Sequence, residues 1–476
     1  MIGIRVRGTT VALLSSFALL ASGAEAATLC VNTTGTSGCY TQIAAAVGAA
    51  TSGDTISIAA GTYNESNIVL TKSLTFAGAG TASTVIDGLS TFQAGRPIFS
   101  FPNPSQTVTF SQMTLQRAYR AIDLSGPCAN NVTLDRVRLT GNGPGSGAGI
   151  FTSCSTLTIQ SSTLDNNVAT VSDHAGCDWG GGGIGGAIAS LCGGSTTIIR
   201  GSTLNNNRAD WFGGAIAVND GQLLIENSTL TGNVSRSTDS TSFVANWGGG
   251  GALWVSGAFP QVAVRFSTLS NNSAPNGVGG VVAGGRGAPN FPSFVSFEAN
   301  ILSGNSAGFS SAVLSGRTGP AVSTATCGHG SDGGVESRGY NVVSDASCPF
   351  ASAGDASNNT LAQLGALGNN GGLTSTQLPG PTTAALNRAV GCGASTTAPN
   401  LVGLMGQPQV LTVDQRGVAR PQGGACEAGA VELRAGVEDV LPPIPTLAQW
   451  AMWLLAALLL ASAGLRLRRA GHAVRA

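Results

Sequence analysis

The stretch that decides the fold is LTIQSSTLDNNVA, residues 157–169, and it returns in degenerate form along the chain. The clearest further copies are TIIRGSTLNNNRA at 197–209, LLIENSTLTGNVS at 223–235, VAVRFSTLSNNSA at 262–274 and VSFEANILSGNSA at 295–307. Weaker copies are VTFSQMTLQRAYR at 108–120 and VTLDRVRLTGNGP at 132–144. Each copy alternates apolar and polar residues up to a leucine, and an asparagine usually follows three residues later. This pattern predicts a strand and then a turn.

The spacing of the copies predicts one structural unit of about 24 residues. Every copy has a leucine at the same position of the pattern, with successive separations of 24, 25, 40, 26, 39 and 33 residues. These leucines are Leu115, Leu139, Leu164, Leu204, Leu230, Leu269 and Leu302. The excess lengths indicate insertions at one place in the unit. A second strand is predicted before most copies, in segments that begin at Gly147, Gly185, Gly213, Gly250 and Gly279.

A nearly helix-free unit of this length cannot bury its apolar face alone, so neighbouring units must stack. The unit also lacks the apolar run that a crossover helix needs. The sequence therefore predicts an all-β fold, a parallel β-helix in which each coil lies on the previous one. Roughly ten to twelve coils, about 50 Å long, are expected at the usual strand spacing of about 4.8 Å.

Asparagines recur at the matching turn position: Asn142, Asn167, Asn207, Asn233, Asn272 and Asn305. Asparagine tolerates the left-handed backbone of a tight turn, and its amide can pair with the amides above and below in a ladder. The alternative is that these are ordinary turn asparagines, which fill the same backbone role without a ladder.

The leader sequence predicts export, and the charge balance bears on the partners of the protein. Residues 1–26 combine two arginines, an apolar run and an A-x-A cleavage site, which predicts a signal peptide and export. Without that leader and the four arginines of the C-terminal tail, 17 basic and 22 acidic residues remain, about −5 in total. With no basic stripe, nucleic acid is not an expected partner.

All ten cysteines lie in the exported part, where an oxidising compartment favours disulfides. Their close spacing predicts sequential pairing: Cys30 with Cys39, Cys128 with Cys154, Cys177 with Cys192, Cys327 with Cys348, and Cys392 with Cys426. A metal site would need close-spaced cysteine or histidine clusters, and the three histidines are scattered, so no metal is predicted.

Residues 40–88 contain a helix signal at 42–50, then GDTI at 53–56, GTY at 61–63 with Glu65, and KSLTFAGAG at 72–80. This segment resembles the start of secreted right-handed, single-stranded parallel β-helix proteins of the pectate-lyase-like superfamily, with Ala60 in place of the usual proline. The resemblance implies a β-helix over residues 27–338 with a short N-terminal capping helix. It implies little about activity, because that superfamily holds lyases, hydrolases, adhesins and inert surface proteins.

Residues 339–436 carry GYNVVSDASC, LGALGNNGGLTSTQLPG and DQRGVARPQGGACEAGAVE. They resemble the choice-of-anchor type Q domain of exported bacterial proteins, although Glu427 stands where that pattern more often has aspartate. We expect irregular final coils and a disulfide-tied cap at the end of the solenoid.

Residues 437–476 predict a membrane segment. Residues 447–465 are uncharged and mostly apolar, long enough to span a bilayer core as a helix, and the basic tail 466–476 is expected in the cytoplasm. The segment resembles the IPTL-CTERM sorting signal, with its motif at Ile444, Pro445, Thr446 and Leu447. The resemblance implies an exosortase-type sorting enzyme as partner, initial anchoring in the inner membrane, and delivery to the cell surface.

Three tryptophans precede glycine corners at about one coil plus an insertion: Asp178-Trp179, Asp210-Trp211 and Asn246-Trp247. Stacked on one side of a solenoid, they would form a glycan-binding face. The alternative is that each tryptophan packs over its glycine corner while the Asp or Asn caps the turn.

A catalytic site is predicted only weakly. Asp173, His174 and Asp178 share one insertion and supply an acid–base pair or a carboxylate pair, which could also hold calcium. A lyase also needs a base, and Lys72 and Arg208 are the basic candidates. We therefore expect a surface structural or adhesion protein that binds extracellular polysaccharide and needs no cofactor; the alternative is a polysaccharide lyase or glycoside hydrolase.

Overall fold

The computed structural model describes residues 25–89, 96–171, 183–191, 194–236, 249–257, 260–275, 279–283, 293–307, 327–329, 333–358, 363–390, 392 and 411–433. Residues 1–24 of the predicted signal peptide, the Cys177–Cys192 pair and the sorting segment 437–476 lie outside these ranges. Among the described residues, no helix has the length and apolar character needed to cross a bilayer.

Three sheets run along the molecule, and all pairings between their strands are parallel. The main sheet has 19 strands in two rows. Its first row consists of Thr28–Val31, Thr55–Ile58, Thr75–Gly78, Thr107–Gln116, Asn131–Thr140, Thr156–Gln160, Thr196–Arg200, Gln222–Glu226, Gln261–Arg265, Ser293–Glu298 and Gly333–Gly339. Its second row consists of Gly61–Asn64, Thr84–Asp87, the second halves of the two ten-residue strands, Thr163–Asp165, Thr203–Asn205, Thr229–Thr231, Thr268–Ser270, Ile301–Ser303 and Val342–Val343.

Two smaller sheets complete each coil. The side sheet has nine strands: Ile68–Val69, Pro97–Ser100, Arg120–Leu124, Ile150–Thr152, Ile188–Ser190, Ile216–Asn219, Leu253–Ser256, Val281–Ala283 and Cys327–His329. The short sheet has five: Val168–Ala169, Arg208–Ala209, Val234–Ser235, Ser273–Ala274 and Ser306–Ala307. The chain passes from side sheet to first row, second row and short sheet, then returns to the side sheet one coil further on. The predicted parallel β-helix is confirmed.

The seven repeat leucines face the interior, and each is 0% exposed. They stand opposite one another from coil to coil, as with Leu164, Leu204 and Leu230. One detail of the prediction is wrong. The sequence predicts a single insertion place in each unit. Most of the inserted residues do lie between a short-sheet strand and the next side-sheet strand, but those that lengthen the coil before Leu302 lie between Ala283 and Ser293. Insertions therefore enter the unit at two places.

The six asparagines form a continuous buried ladder. Each side-chain amide nitrogen donates to the amide oxygen of the next asparagine over 2.9–3.0 Å, from Asn142 through Asn167, Asn207, Asn233 and Asn272 to Asn305. The same nitrogen also donates to a leucine carbonyl of the preceding coil. The amide oxygens of the last five asparagines also accept the backbone N–H of the asparagine one coil back, and that of Asn142 accepts the backbone N–H of Ala118. The predicted ladder is therefore confirmed, and the alternative of turn asparagines without a ladder is wrong.

The left-handed backbone at this turn belongs to the preceding residue and not to the ladder asparagine. Asn166, Asn206 and Asn271 have φ of 57°, 53° and 52°, and Gly141, Gly232 and Gly304 occupy the same position in other coils. The sequence predicts that one asparagine has both the left-handed backbone and the ladder amide, whereas the structure divides these two roles between neighbouring residues. One residue supplies the bend and the next supplies the amide.

A second ladder, which the sequence analysis missed, runs along the turn between the two rows. The hydroxyl oxygens of Ser162, Ser202, Ser228 and Ser267 accept backbone N–H groups from the preceding coil over 3.0–3.2 Å. Asn300 and Asn341 continue it, and Asp355 ends it by accepting from Asn341. The signal was available, since a serine stands two residues before the leucine in most copies.

The N-terminal end is covered by the helix Ile43–Ala49, close to the predicted 42–50, which follows a 3-10 turn at Thr36–Gly38. The Glu65 carboxylate accepts the backbone N–H groups of Ile43 and Ala44 over 2.7 and 2.9 Å. At the other helix end, Lys72 Nζ donates to the carbonyls of residues 47, 48 and 50. Each charge is opposite in sign to the partial charge at the helix end that it contacts, so these two residues stabilise the capping helix.

The C-terminal end is covered by residues 344–358. Phe350 lies in the main core and packs on Phe297 with ring centroids 5.6 Å apart. The Cys327–Cys348 disulfide closes this end. Four of the five predicted disulfides are present in the described residues, and Cys128–Cys154 joins successive coils as predicted.

The sequence predicts a cap at the solenoid end for this region. The structure instead places residues 363–390, 392 and 411–433 elsewhere. They lie along the outward face of the main sheet, where Thr374 bonds the carbonyl of Gly201 and Gly429 bonds that of Ala299. We call them the lateral cover. The end-cap expectation fails for this segment because its hydroxyl and amide groups match a column of side chains on the sheet, described below.

Replacing Asn207 with alanine is predicted to lower the free energy of unfolding by about 2–4 kcal/mol. The change leaves Asn167 without its acceptor and two buried carbonyl groups without their donor. Urea denaturation measures the loss. Asn205→Ala, two residues away on the outward side, is the control and is expected to cost less than about 1 kcal/mol. Equal losses in the two variants would contradict the ladder's role.

Candidate functional site

Most of the predicted site residues lie outside the described part of the chain. These are Asp173, His174, Asp178, Trp179, Asn246, Trp247 and the motif Ile444, Pro445, Thr446 and Leu447. The described candidates are Arg208, Asp210 and Trp211, which follow one another at the short sheet. The proposed glycan-binding and catalytic roles remain predictions.

Trp211 is 8% exposed and packs in a cluster of aromatic residues. Its ring stacks on Phe212 with centroids 4.9 Å apart, and Phe212 stacks on Trp254 at 4.7 Å. A sugar needs an open ring face, whereas Trp211 turns most of its surface to protein. The geometry of this one tryptophan favours the packing alternative.

The two basic candidates have structural partners. Arg208 Nε lies 3.2 Å from Asp210 Oδ1, and both side chains are about one-third exposed. The Lys72 ammonium is bonded to the helix carbonyls described above. Among the described residues, no group of three or more His, Cys, Asp or Glu side chains is placed to hold a metal ion.

The most extensive polar arrangement is the interface between the lateral cover and the main sheet. It uses one register column, because Thr203, Thr229 and Thr268 lie opposite one another in successive second-row strands. Thr203 donates to the carbonyl of Ser375 over 2.6 Å, and Thr229 donates to Gln415 Oε1 over 2.7 Å. Thr268 accepts the backbone N–H of Ala430 over 3.1 Å. The threonine before the repeat leucine is thus a docking residue.

Beneath the cover, charges stack along the first row. Arg200, Glu226, Arg265 and Glu298 lie opposite one another in four successive strands. Each arginine lies 2.8 Å from its glutamate partner, and Glu226 accepts from both arginines. Glu226 is 1% exposed, so losing either arginine would leave a buried carboxylate poorly compensated.

The DQRGVARPQGGACEAGAVE segment folds around its own buried charges. Arg420 Nη1 donates to Glu432 Oε2 over 2.9 Å, and its guanidinium lies 4.9 Å from the centre of the Phe266 ring. Asp414 accepts from Arg416 Nε over 3.0 Å and from the backbone N–H of Glu432 over 2.9 Å. The charged residues of this motif therefore hold the cover together and attach it to the sheet.

Glu427 is the one strongly perturbed carboxyl among the described groups. Burial, and then the neighbouring Glu432 carboxyl, raise its pKa from about 4.5 to about 8. The side chain is 3% exposed and lies inside the cover beside the Cys392–Cys426 disulfide. Because the side chain is buried, its raised pKa links the stability of the cover to pH.

Residues 63–269 match the protein-family model described as a right handed beta helix region. With the parallel sheets, this match shows that the chain contains a right-handed parallel β-helix. Neither a curated protein nor a solved structure matches the chain.

Thr229→Val is predicted to loosen the lateral cover, because Gln415 Oε1 would lose its donor in a buried site at a cost of about 1–3 kcal/mol. Amide hydrogen exchange in residues 411–433 should then speed up about tenfold or more. Thr163→Val is the matched control, since Thr163 holds the same register position one coil before the cover begins. Faster exchange in both variants, or in neither, would contradict docking through this column.

Glu427→Gln is predicted to remove a pH dependence of stability. Between about pH 4.5 and 8 the folded wild-type protein holds a proton that the unfolded chain releases. The free energy of unfolding therefore falls as pH rises through that window and levels off above it. Relative to the difference between the two proteins near pH 4.5, the free energy of unfolding of the variant should rise above that of the wild type by on the order of 4 kcal/mol by pH 8. Urea denaturation from pH 5 to 9 measures this; parallel curves would contradict it, and Glu336→Gln is the exposed control.

Proposed function

We propose that the protein is exported and held at the cell envelope as a structural and adhesive rod that binds extracellular polysaccharide. The observation that carries the proposal is the disulfide-stapled solenoid itself. Four disulfides tie both ends, two successive coils and the cover. Such pairs form and persist in oxidising compartments, which agrees with the predicted signal peptide.

The sequence signals at the C-terminus support attachment to the envelope. Residues 437–476 are proposed as a sorting segment that first anchors the chain in the inner membrane and is recognised by an exosortase-type enzyme. The described chain ends at residue 433 in the lateral cover, next to the fully buried Glu432. An anchor after residue 436 would therefore be connected to the rod through the cover.

The arrangement of the described basic groups supports binding over catalysis. A lyase needs a group that accepts a proton from the substrate, but Lys72 is bonded to helix carbonyls and Arg208 to Asp210. The enzyme alternative then depends on Asp173, His174 and Asp178, which lie outside the described residues, and a turnover assay decides it.

Intact cells that express the full chain should release peptides of residues 27–433 when treated with an external protease. A variant that lacks residues 437–476 should appear in the medium, because it has lost the proposed anchor. Mass spectrometry of the surface-extracted protein locates its C-terminus.

Recovery of the protein in the cytosol with free thiols would contradict export. Unsaturated products or new reducing ends after incubation with acidic or neutral glycans, with or without calcium, would replace the adhesion proposal with the enzyme alternative.

A further inference from the structure

The outward face of the main sheet changes chemistry where the lateral cover ends. The turn between the two rows places one left-handed residue per coil at the same corner. Under the cover this corner holds Phe266 and Ala299, which are buried in a cluster with Cys426. In the coils before the cover it holds Gln112, Arg136 and Ser161, all at least partly exposed.

The second row changes less, because its docking column also holds Thr203, Thr229 and Thr268 under the cover. Ile301 occupies the docking column under the cover and is 1% exposed. In the earlier coils that column holds Arg138 and Thr163, which lie opposite one another in the sheet. We call the outward positions Gln112, Gln116, Arg117, Arg136, Arg138, Ser161 and Thr163, with the aspartates that pair with them, the open face. It continues the column to which the cover binds, but with polar side chains only.

Three arginine–aspartate pairs run along the open face. Arg136 lies 2.8 Å from Asp135 and Arg138 lies 2.7 Å from Asp165, while Arg117 bonds Asp87. The arginine side chains are 44%, 48% and 54% exposed. Their partners are less exposed, at 23%, 6% and 1%. Each pair therefore turns guanidinium donors outward and keeps its net charge at zero.

Hydrogen bonding favours the charged forms of Asp87 and Arg138. Burial raises the pKa of Asp87, but hydrogen bonds from Arg117 and Gln116 outweigh it and hold that pKa below its usual value. Bonding to Asp165 raises the pKa of Arg138. Because Arg138 binds both oxygens of Asp165, through Nε and Nη2, its plane is fixed.

We propose that the open face binds an uncharged polysaccharide chain that lies along the solenoid axis. This deepens the proposed function and rests on it. A hydroxyl-rich chain can accept from the outward guanidinium groups and donate to the partly exposed oxygens of Asp135 and of the glutamine, serine and threonine side chains beside them. Successive coils lie about 4.8 Å apart, close to the length of one sugar unit, so a linear polymer meets one set of polar groups in each coil.

The charge balance and polarity of the face favour this ligand over three others. A basic or an acidic polymer gains little from a face whose arginines and aspartates are already paired. An apolar protein surface would bury these polar groups against nothing that satisfies them, in contrast to Phe266 and Ala299 under the cover.

The test is affinity electrophoresis of the full chain in gels that contain hydroxyethylcellulose or dextran, and polygalacturonate or alginate, at low and high salt. The variant combines Arg136→Gln, Arg138→Gln and Asp165→Asn, so that neither Arg138 nor Asp165 keeps a charge without its partner. The control is Arg338→Gln with Glu336→Gln, another arginine–glutamate pair 2.6 Å apart near the C-terminal end. Urea midpoints verify that both variants fold.

The wild type and the control should be retarded by a neutral polymer at both salt concentrations, and the triple variant should bind about tenfold more weakly. Full retention by a folded triple variant would overturn the open face while leaving polysaccharide binding intact. Retardation only by the anionic polymers, lost at high salt, would overturn the uncharged ligand. No retardation of the wild type by any polymer would overturn both this site and the proposed binding function.

Discussion

The buried asparagine ladder is the constraint on which the rest of the structure depends. Its members are separated by 25 to 40 residues in the sequence, yet each amide bonds the next over about the same distance. Loop length adds little to the cost of closing a coil, so insertions are tolerated provided that the chain returns to the ladder. An amide that slipped by one residue would be buried without a partner, and this fixes the register.

A fixed register turns single residue choices into continuous columns. The leucine column fills the interior, and the serine column satisfies the backbone at the second turn. The threonine column faces outward and binds the lateral cover through Thr203, Thr229 and Thr268. Buried ion pairs such as Arg420–Glu432 contribute little net stability but are costly to break singly, so they favour one placement of the cover over all others. The Arg–Asp pairs of the open face lie in the described coils that precede the cover.

The sequence predicted the parts of the fold that repeat. Periodicity identified the leucines, the asparagine position and the coil, because each is stated several times in the chain. The pattern did not separate the left-handed residue from the ladder residue, because both are often asparagine, as in Asn166-Asn167 and Asn206-Asn207. It missed the place of the lateral cover, whose segments carry no repeat and dock through contacts about 110 to 210 residues away in sequence. Trp211 was ambiguous for the same reason, since Trp254, which stacks on Phe212, comes from the next coil.

Cysteine cross-linking tests the central claim, the ladder-fixed register of the coils, most directly. Thr158 and Ile198 are opposite one another in adjacent coils although 40 residues apart in sequence. A Thr158→Cys, Ile198→Cys variant should form a disulfide efficiently on mild oxidation, because its Cα atoms lie within bonding range. The pair Thr158→Cys with Arg200→Cys, displaced by two residues along the strand, should not. Equal yields from both pairs, or a disulfide only in the displaced pair, would contradict the register and with it the columns that place the cover and the open face.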